Sequence, residues 1–248
     1  MSNAGNASVK IAIIGDFDRA KHSHWATEAA LFHAGARTKI DVQPRWVGTQ
    51  LLRDGDPAEQ LGGFDGVWGA PGSPYVSFDG MIRALCWARQ SSRPYLGTCA
   101  GFQYALIEFT RNVLGITDAN TAEEDSTTRN VVITPVECPL PGGAPASPRL
   151  GGADGATPVP DTLFERLCGG GERREEYFCN FETNAEFVPR WQSAGLRIAA
   201  RGPRGEMRAF ELPSHPFFIA TLFQPQLSSS FARPHPIIEG YLRACAKA

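Results

Sequence analysis

No stretch of the 248-residue chain approaches the roughly 20 apolar residues that a membrane-crossing helix needs. The first residues, Met1-Ser2-Asn3-Ala4-Gly5-Asn6, are small and polar and lack the apolar core of a signal peptide. An excess of one charge is also missing. With 24 Lys and Arg against 26 Asp and Glu, the formal net charge is −2, so nothing favours nucleic acid or an anionic membrane surface as partner. The six cysteines (Cys86, Cys99, Cys138, Cys168, Cys179, Cys245) form no C-x-x-C pair, which argues for reduced thiols rather than a disulfide framework. Metal spacing is absent as well: His22 and His24 stand two apart, unlike the i, i+4 pair of a zinc helix. No internal repeat is visible. These absences leave the expectation of a cytoplasmic protein that binds neither nucleic acid nor membrane and calls for no metal or cofactor.

Hydrophobic content of 42% and charged content of 20% describe an ordinary globular chain, long enough for one α/β domain with a substantial core. Val9 to Ile14, followed by Gly15-Asp16, reads as a buried parallel strand, with a helix expected from about Ser23 to Ala34. Further strands are expected at 40–43, 64–68 and 94–97, with a loop at 71–75 and a helix over 79–89. Strands alternating with helices predict a doubly wound, mostly parallel sheet whose ligands bind beyond the carboxyl ends of its strands. Asp16, Gly72 and Cys99 would lie at that edge.

The second half differs. Between Pro139 and Pro160, 11 of 22 residues are Pro or Gly, which predicts an exposed connection. Strands are expected at 196–200, 207–211 and 217–223, with a closing helix over 236–246. A single domain spanning 1–248 is the expected organisation, with residues 1–8 disordered.

Cys99 sits in Pro94-Tyr95-Leu96-Gly97-Thr98-Cys99-Ala100-Gly101-Phe102-Gln103, where a short strand runs into a helix through small residues on both sides of a thiol. That is the layout of a nucleophile elbow, a strained turn in which Gly97 and Gly101 let neighbouring chain pass closely. Free N–H groups and the positive end of the helix dipole there favour thiolate over thiol. A buried core cysteine is the competing reading.

The chain resembles the class I glutamine amidotransferases, and within them the glutaminase domain of CTP synthase. Three blocks carry the likeness: 69–81, similar to the glycine-rich oxyanion loop and its helix; 95–108, similar to the elbow; and 194–199 with 213–220 and His235-Pro236, similar to the C-terminal strands and closing His-Pro. The resemblance implies a flavodoxin-like fold in which a cysteine thiolate attacks the glutamine amide, backbone N–H groups hold the oxyanion, and a His oriented by a Glu protonates the departing ammonia. It also implies that Gly72 and Ala100 supply those N–H groups, and that Gln103 and Glu123 contact substrate. The family's Phe-His-Pro-Glu reads Phe223-Gln224-Pro225-Gln226 here, and an amide cannot move a proton near neutral pH. Asn180 stands where the family's arginine binds the glutamine carboxylate, and Ser73 replaces the second glycine of the oxyanion loop. The synthetase half that precedes this module in the family is not in the sequence, so a stand-alone homologue with a degenerate triad is expected.

If Cys99 reacts, another group must act as base. His24, just after the first strand, could approach the elbow. His215 is similar to a family histidine outside the triad, while His22, His33 and His235 read as surface or capping residues. Cys179, at a basic position of the family, is either a second active-site thiol or a packed small side chain. Glu176 and Glu182 could place a carboxylate nearby or be solvated charges, and Tyr75 and Tyr177 could shape the pocket or simply pack.

Three functions compete. The first is a cysteine-dependent enzyme acting on an amide or acyl small molecule, a glutamine-like one among the candidates. The second is a non-catalytic ligand- or partner-binding pseudoenzyme, and the third a glutaminase subunit serving a separate synthetase; a homo-oligomer is compatible with each. An imidazole within reach of the Cys99 sulfur would support the enzyme, and an all-neutral shell would argue against it.

Overall fold

A computed structural model describes residues 7–136 and 150–248. The chain begins with β1 (Ser8–Ile14), α1 (His22–Thr38), β2 (Asp41–Val47), α2 (Thr49–Asp54), α3 (Pro57–Leu61), β3 (Gly66–Gly69), α4 (Phe78–Gln90), β4 (Tyr95–Thr98) and α5 (Ala100–Asn112). It continues through β5 (Asn120–Thr121), β6 (Val131–Pro135), β7 (Leu150–Pro158), α6 (Leu163–Cys168), β8 (Arg173–Cys179) and β9 (Phe181–Thr183). The last elements are α7 (Val188–Ser193), β10 (Arg197–Arg201), β11 (Met207–Glu211), β12 (Phe218–Thr221), α8 (Pro225–Ser228) and α9 (Pro236–Cys245).

Nine strands form one sheet in the order β2-β1-β3-β4-β12-β11-β10-β7-β8. From β2 to β12 neighbouring strands are parallel, and from β12 to β8 they are antiparallel. Helices cover the parallel half, so its central strands are apolar runs buried on both faces: Ile11, Ile13, Val67, Trp68, Leu96, Ile219 and Ala220 have no exposed surface. Parallel pairing also brings the carboxyl ends of β1, β3, β4 and β12 to one edge, where the chain turns into the segments that carry Asp16, Gly72, Cys99 and Gln224. A small second sheet, β5-β6-β9, stands apart from the large one.

Two expectations are corrected. Residues 150–158 form β7 rather than an exposed connection, because seven residues, Leu150 to Ala156, pair antiparallel with Cys179 to Arg173. Pairing across the sheet outweighs the weak strand propensity of Gly and Pro. Residues 139–149, and Cys138, lie outside the described residues. Of the residues expected to be disordered, 1–6 are also outside, whereas the Ala7 carbonyl accepts from the Asp41 N–H at 2.8 Å and Ser8 opens β1.

Candidate functional site

Cys99 caps the N-terminus of α5 with φ +52° and ψ −106°, a backbone that non-glycine residues rarely adopt. Its own N–H donates to the Thr221 carbonyl at 2.9 Å, which ties the turn to β12. Gly101 is equally constrained: a Cβ there would lie 2.2 Å from the Gly69 carbonyl oxygen, so only glycine lets α5 press onto β3. The strand-to-helix turn at Cys99 is therefore built from two local demands, a strained thiol-bearing residue and a glycine two positions later. Strain of this kind costs on the order of 1–3 kcal/mol. A Cys99→Gly variant is expected to be more stable than Cys99→Ala by about 1 kcal/mol, as measured by urea unfolding; equal midpoints would mean that the turn is unstrained.

The Cys99 sulfur faces the Cys179 sulfur at 3.1 Å and the Phe178 carbonyl oxygen at 3.8 Å. The Cys179 thiol, and after it the backbone N–H groups of Ala100 and Gly72, stabilise the Cys99 thiolate and hold its pKa below the ordinary thiol value despite burial. Cys179 responds in the opposite direction: its bond to Cys99, together with burial, drives it well above that value. It thus stays protonated and donates. Iodoacetamide labelling of Cys99 should show a pH midpoint below the roughly 8.5 of a free thiol, and Cys179→Ala should move it upward. An unchanged midpoint would remove Cys179 as the cause.

Gln224 and Gln226 are both buried, and Gln224 lines the same cleft as the two thiols. The Gln226 Nε2 donates to the Gln224 Oε1 at 3.2 Å, so the two amides contact each other directly. The Gln226 Oε1 is buried with no hydrogen-bond partner.

His24 does not serve as the base, contrary to expectation. Its Nδ1 accepts from the Asp18 N–H at 3.0 Å, leaving Nε2–H to donate to the Pro71 carbonyl at 3.0 Å, so neither nitrogen has a lone pair for the thiol. Burial lowers its pKa and keeps it neutral. The ring instead braces the loop that presents Gly72. His215 is likewise engaged away from the elbow, accepting from the Phe217 N–H and facing the Ala88 carbonyl. His235 caps α9 and also meets the buried Glu175 at 3.1 Å. Among the described residues no imidazole joins the hydrogen-bond shell of Cys99.

A cleft of about 610 Å³ opens over the sulfur and brings Gly72, Ser73, Cys99, Gln103, Glu123, Cys179, Asn180 and Gln224 together. The Gln103 Nε2 donates to the Phe181 carbonyl at 3.1 Å. Burial raises the Glu123 pKa, while a hydrogen bond from Ser73 and the charge of Lys21 oppose the rise. Glu176 and Tyr177 also line the cleft, whereas Glu182 turns to Arg204 and Arg208 at 3.6 and 3.8 Å. Tyr75 packs beneath the loop, its hydroxyl donating to the Ala70 carbonyl. Lys21 was missed from the sequence; its Nζ reaches the Gly72 carbonyl at 3.3 Å and lies on the cleft wall. Its signal was its place between the end of β1 and α1, on the ligand edge.

Among the described residues no helix is long and apolar enough to cross a membrane. Residues 25–138 match the family model "Glutamine amidotransferase class-I". The chain is 34% identical over 239 residues to the CTP synthase of Rubrobacter xylanophilus, covering 96% of this chain and 43% of that protein. It is 35% identical over 242 residues to the CTP synthase of Archaeoglobus fulgidus, covering 96% and 44%. It therefore spans less than half the length of these relatives. Among solved structures, the glutaminase domain of Trypanosoma brucei CTP synthase with bound acivicin aligns with a TM-score of 0.86 at 27% identity, covering 96% of this chain and 94% of that one.

Proposed function

The chain belongs to the class I glutamine amidotransferase family, and from that premise we propose that its cleft performs thiolate-dependent acyl transfer on a small molecule rather than efficient glutamine hydrolysis. The observation that carries this reading is the Cys99 thiol at an elbow where a second thiol and two backbone N–H groups favour its thiolate, with amides at both proton-shuttle positions. Among the described residues the hydrogen-bond shell of Cys99 contains no imidazole, which argues against an enzyme whose chemistry needs a base there. It leaves chemistry that needs only a nucleophile.

In that chemistry the Cys99 thiolate attacks an acyl carbon, and the developing oxyanion moves toward the Gly72 and Ala100 N–H groups. Collapse of the adduct expels the leaving group. Ammonia departs only with a proton, which Gln224 cannot supply, whereas the thiolate of a thioester or the phenolate of an aryl ester leaves without one. Hydrolysis of the acyl-enzyme by water also lacks a base, so the acylated form should accumulate. Glu123 offers a carboxylate to a cationic amine. Asn180 offers a carboxylate group less than an arginine would, although Lys21 stands nearby on the same wall.

Intact-mass analysis after incubation with a short-chain thioester is expected to show one acyl group on Cys99, absent in Cys99→Ala, while ammonia release from glutamine stays near background. Acylation that persists in Cys99→Ala, or no acylation alongside rapid ammonia release, would overturn the reading.

A further inference from the structure

Cys179 has no step of its own in acyl transfer, yet it places a second sulfur 3.1 Å from the nucleophile in a buried, cleft-lining position. Among the described residues no group of three or more His, Cys, Asp or Glu side chains is placed to hold a metal ion. The two thiols also come from distant chain segments, the start of α5 and the end of β8. Only about 1 Å of approach separates this contact from a covalent S–S bond.

We propose that Cys99 and Cys179 form a peroxide-oxidised dithiol site, in which Cys99 is the attacking thiol and Cys179 the resolving one. The Cys99 thiolate attacks one oxygen of a hydroperoxide, forming an S–O bond and breaking the O–O bond; the alkoxide or hydroxide released takes up a proton. Cys99 is now a sulfenic acid, oxidised by two electrons, and the hydroperoxide has been reduced to an alcohol or water. Cys179 then attacks the Cys99 sulfur, the S–O bond breaks, and the departing hydroxide leaves as water with the Cys179 proton. Two thiols and one hydroperoxide thus give one disulfide, one alcohol and one water. The division of roles follows from the asymmetry of the pair: Cys99 sits at the helix N-terminus, where the Cys179 thiol and two backbone N–H groups lower its pKa, whereas the same contact and burial raise that of Cys179. Once Cys99 is oxidised, its thiol contact, the largest cause raising the Cys179 pKa, is gone, and burial alone still raises it. An exogenous dithiol reverses the step by exchange.

This proposal does not rest on acyl transfer and shares only the sulfur with it. The test treats the full chain with hydrogen peroxide and follows intact mass and a non-reducing peptide map. The expected result is a loss of two hydrogens, a Cys99–Cys179 linked peptide, and full recovery with dithiothreitol. In Cys179→Ser, dimedone should trap a sulfenic acid at Cys99 that the parent does not accumulate, and over-oxidation of Cys99 should rise several-fold. Cys179→Ala provides the same readout should the serine variant fail to fold. Dimedone trapping at Cys99 that is equal in parent and variant, or a parent oxidised with no Cys99–Cys179 linkage, would overturn the proposal even if a thioester acylates Cys99 normally.

Discussion

A Gln224→His, Gln226→Glu double variant is expected to release ammonia from glutamine faster than the parent by about 10²–10⁴, the usual contribution of general acid–base catalysis. The geometry for this gain is already present. The two side chains are within hydrogen-bonding distance of each other, and Gln224 lines the cleft beside the nucleophile. An imidazole at 224 oriented by a carboxylate at 226 could take the Cys99 proton and return it to departing ammonia. The Gln226 Oε1, unpartnered in its buried setting, marks where one carboxylate oxygen would sit. The gain should appear in kcat, while KM stays high because Asn180 is unchanged. Steady-state ammonia measurement decides the matter, and a folded double variant with no increase would show that the missing pair is not what limits turnover on glutamine.

Gly101→Ala is expected to destabilise the protein by about 3 kcal/mol, at the upper end of what overpacking usually costs. The added methyl would meet the Gly69 carbonyl oxygen at 2.2 Å and its carbon at 2.7 Å, both backbone atoms of a central strand that cannot swing aside as a side chain can. Relief requires α5 to move off β3, which also shifts the turn that carries Cys99. Chemical denaturation should show a lower urea midpoint with the slope unchanged, and the Cys99 labelling midpoint should rise toward that of an ordinary thiol. A variant as stable as the parent would contradict the close approach.

The parallel half of the fold was readable in the sequence because its strands are short apolar runs ended by turn residues, and the strand-to-helix turn at Cys99 because two glycines flank it. β7 was not, since Leu150 to Pro158 looks like loop composition and becomes a strand only through pairing with β8. The short α2 and α3 escaped notice for a similar reason: six and five residues give too few turns for a helical period to show. Within the site, Cys99, Gly72 and Glu123 were legible from pattern and resemblance. The bonding of His24 was not, because a histidine at the ligand edge reads as a candidate base until both of its ring nitrogens are found bonded to backbone. The Cys99–Cys179 contact spans 80 positions along the chain, beyond any local pattern.

Cys179 is the last residue of β8, and β8 is the outermost strand of the nine-stranded sheet. Along that strand β7 supplies the sheet pairing on one side, and the bond from the Gln224 N–H to the Glu176 carbonyl fastens it on the other. Cys99, by contrast, is anchored at the interior of the same sheet, between β4 and β12. Local opening of β8 would separate the two sulfurs at a cost below that of global unfolding. The acidity of the Cys99 thiol would then depend on the integrity of that edge: amide exchange along β7 and β8 should speed up in any variant that raises the Cys99 labelling midpoint by loosening it.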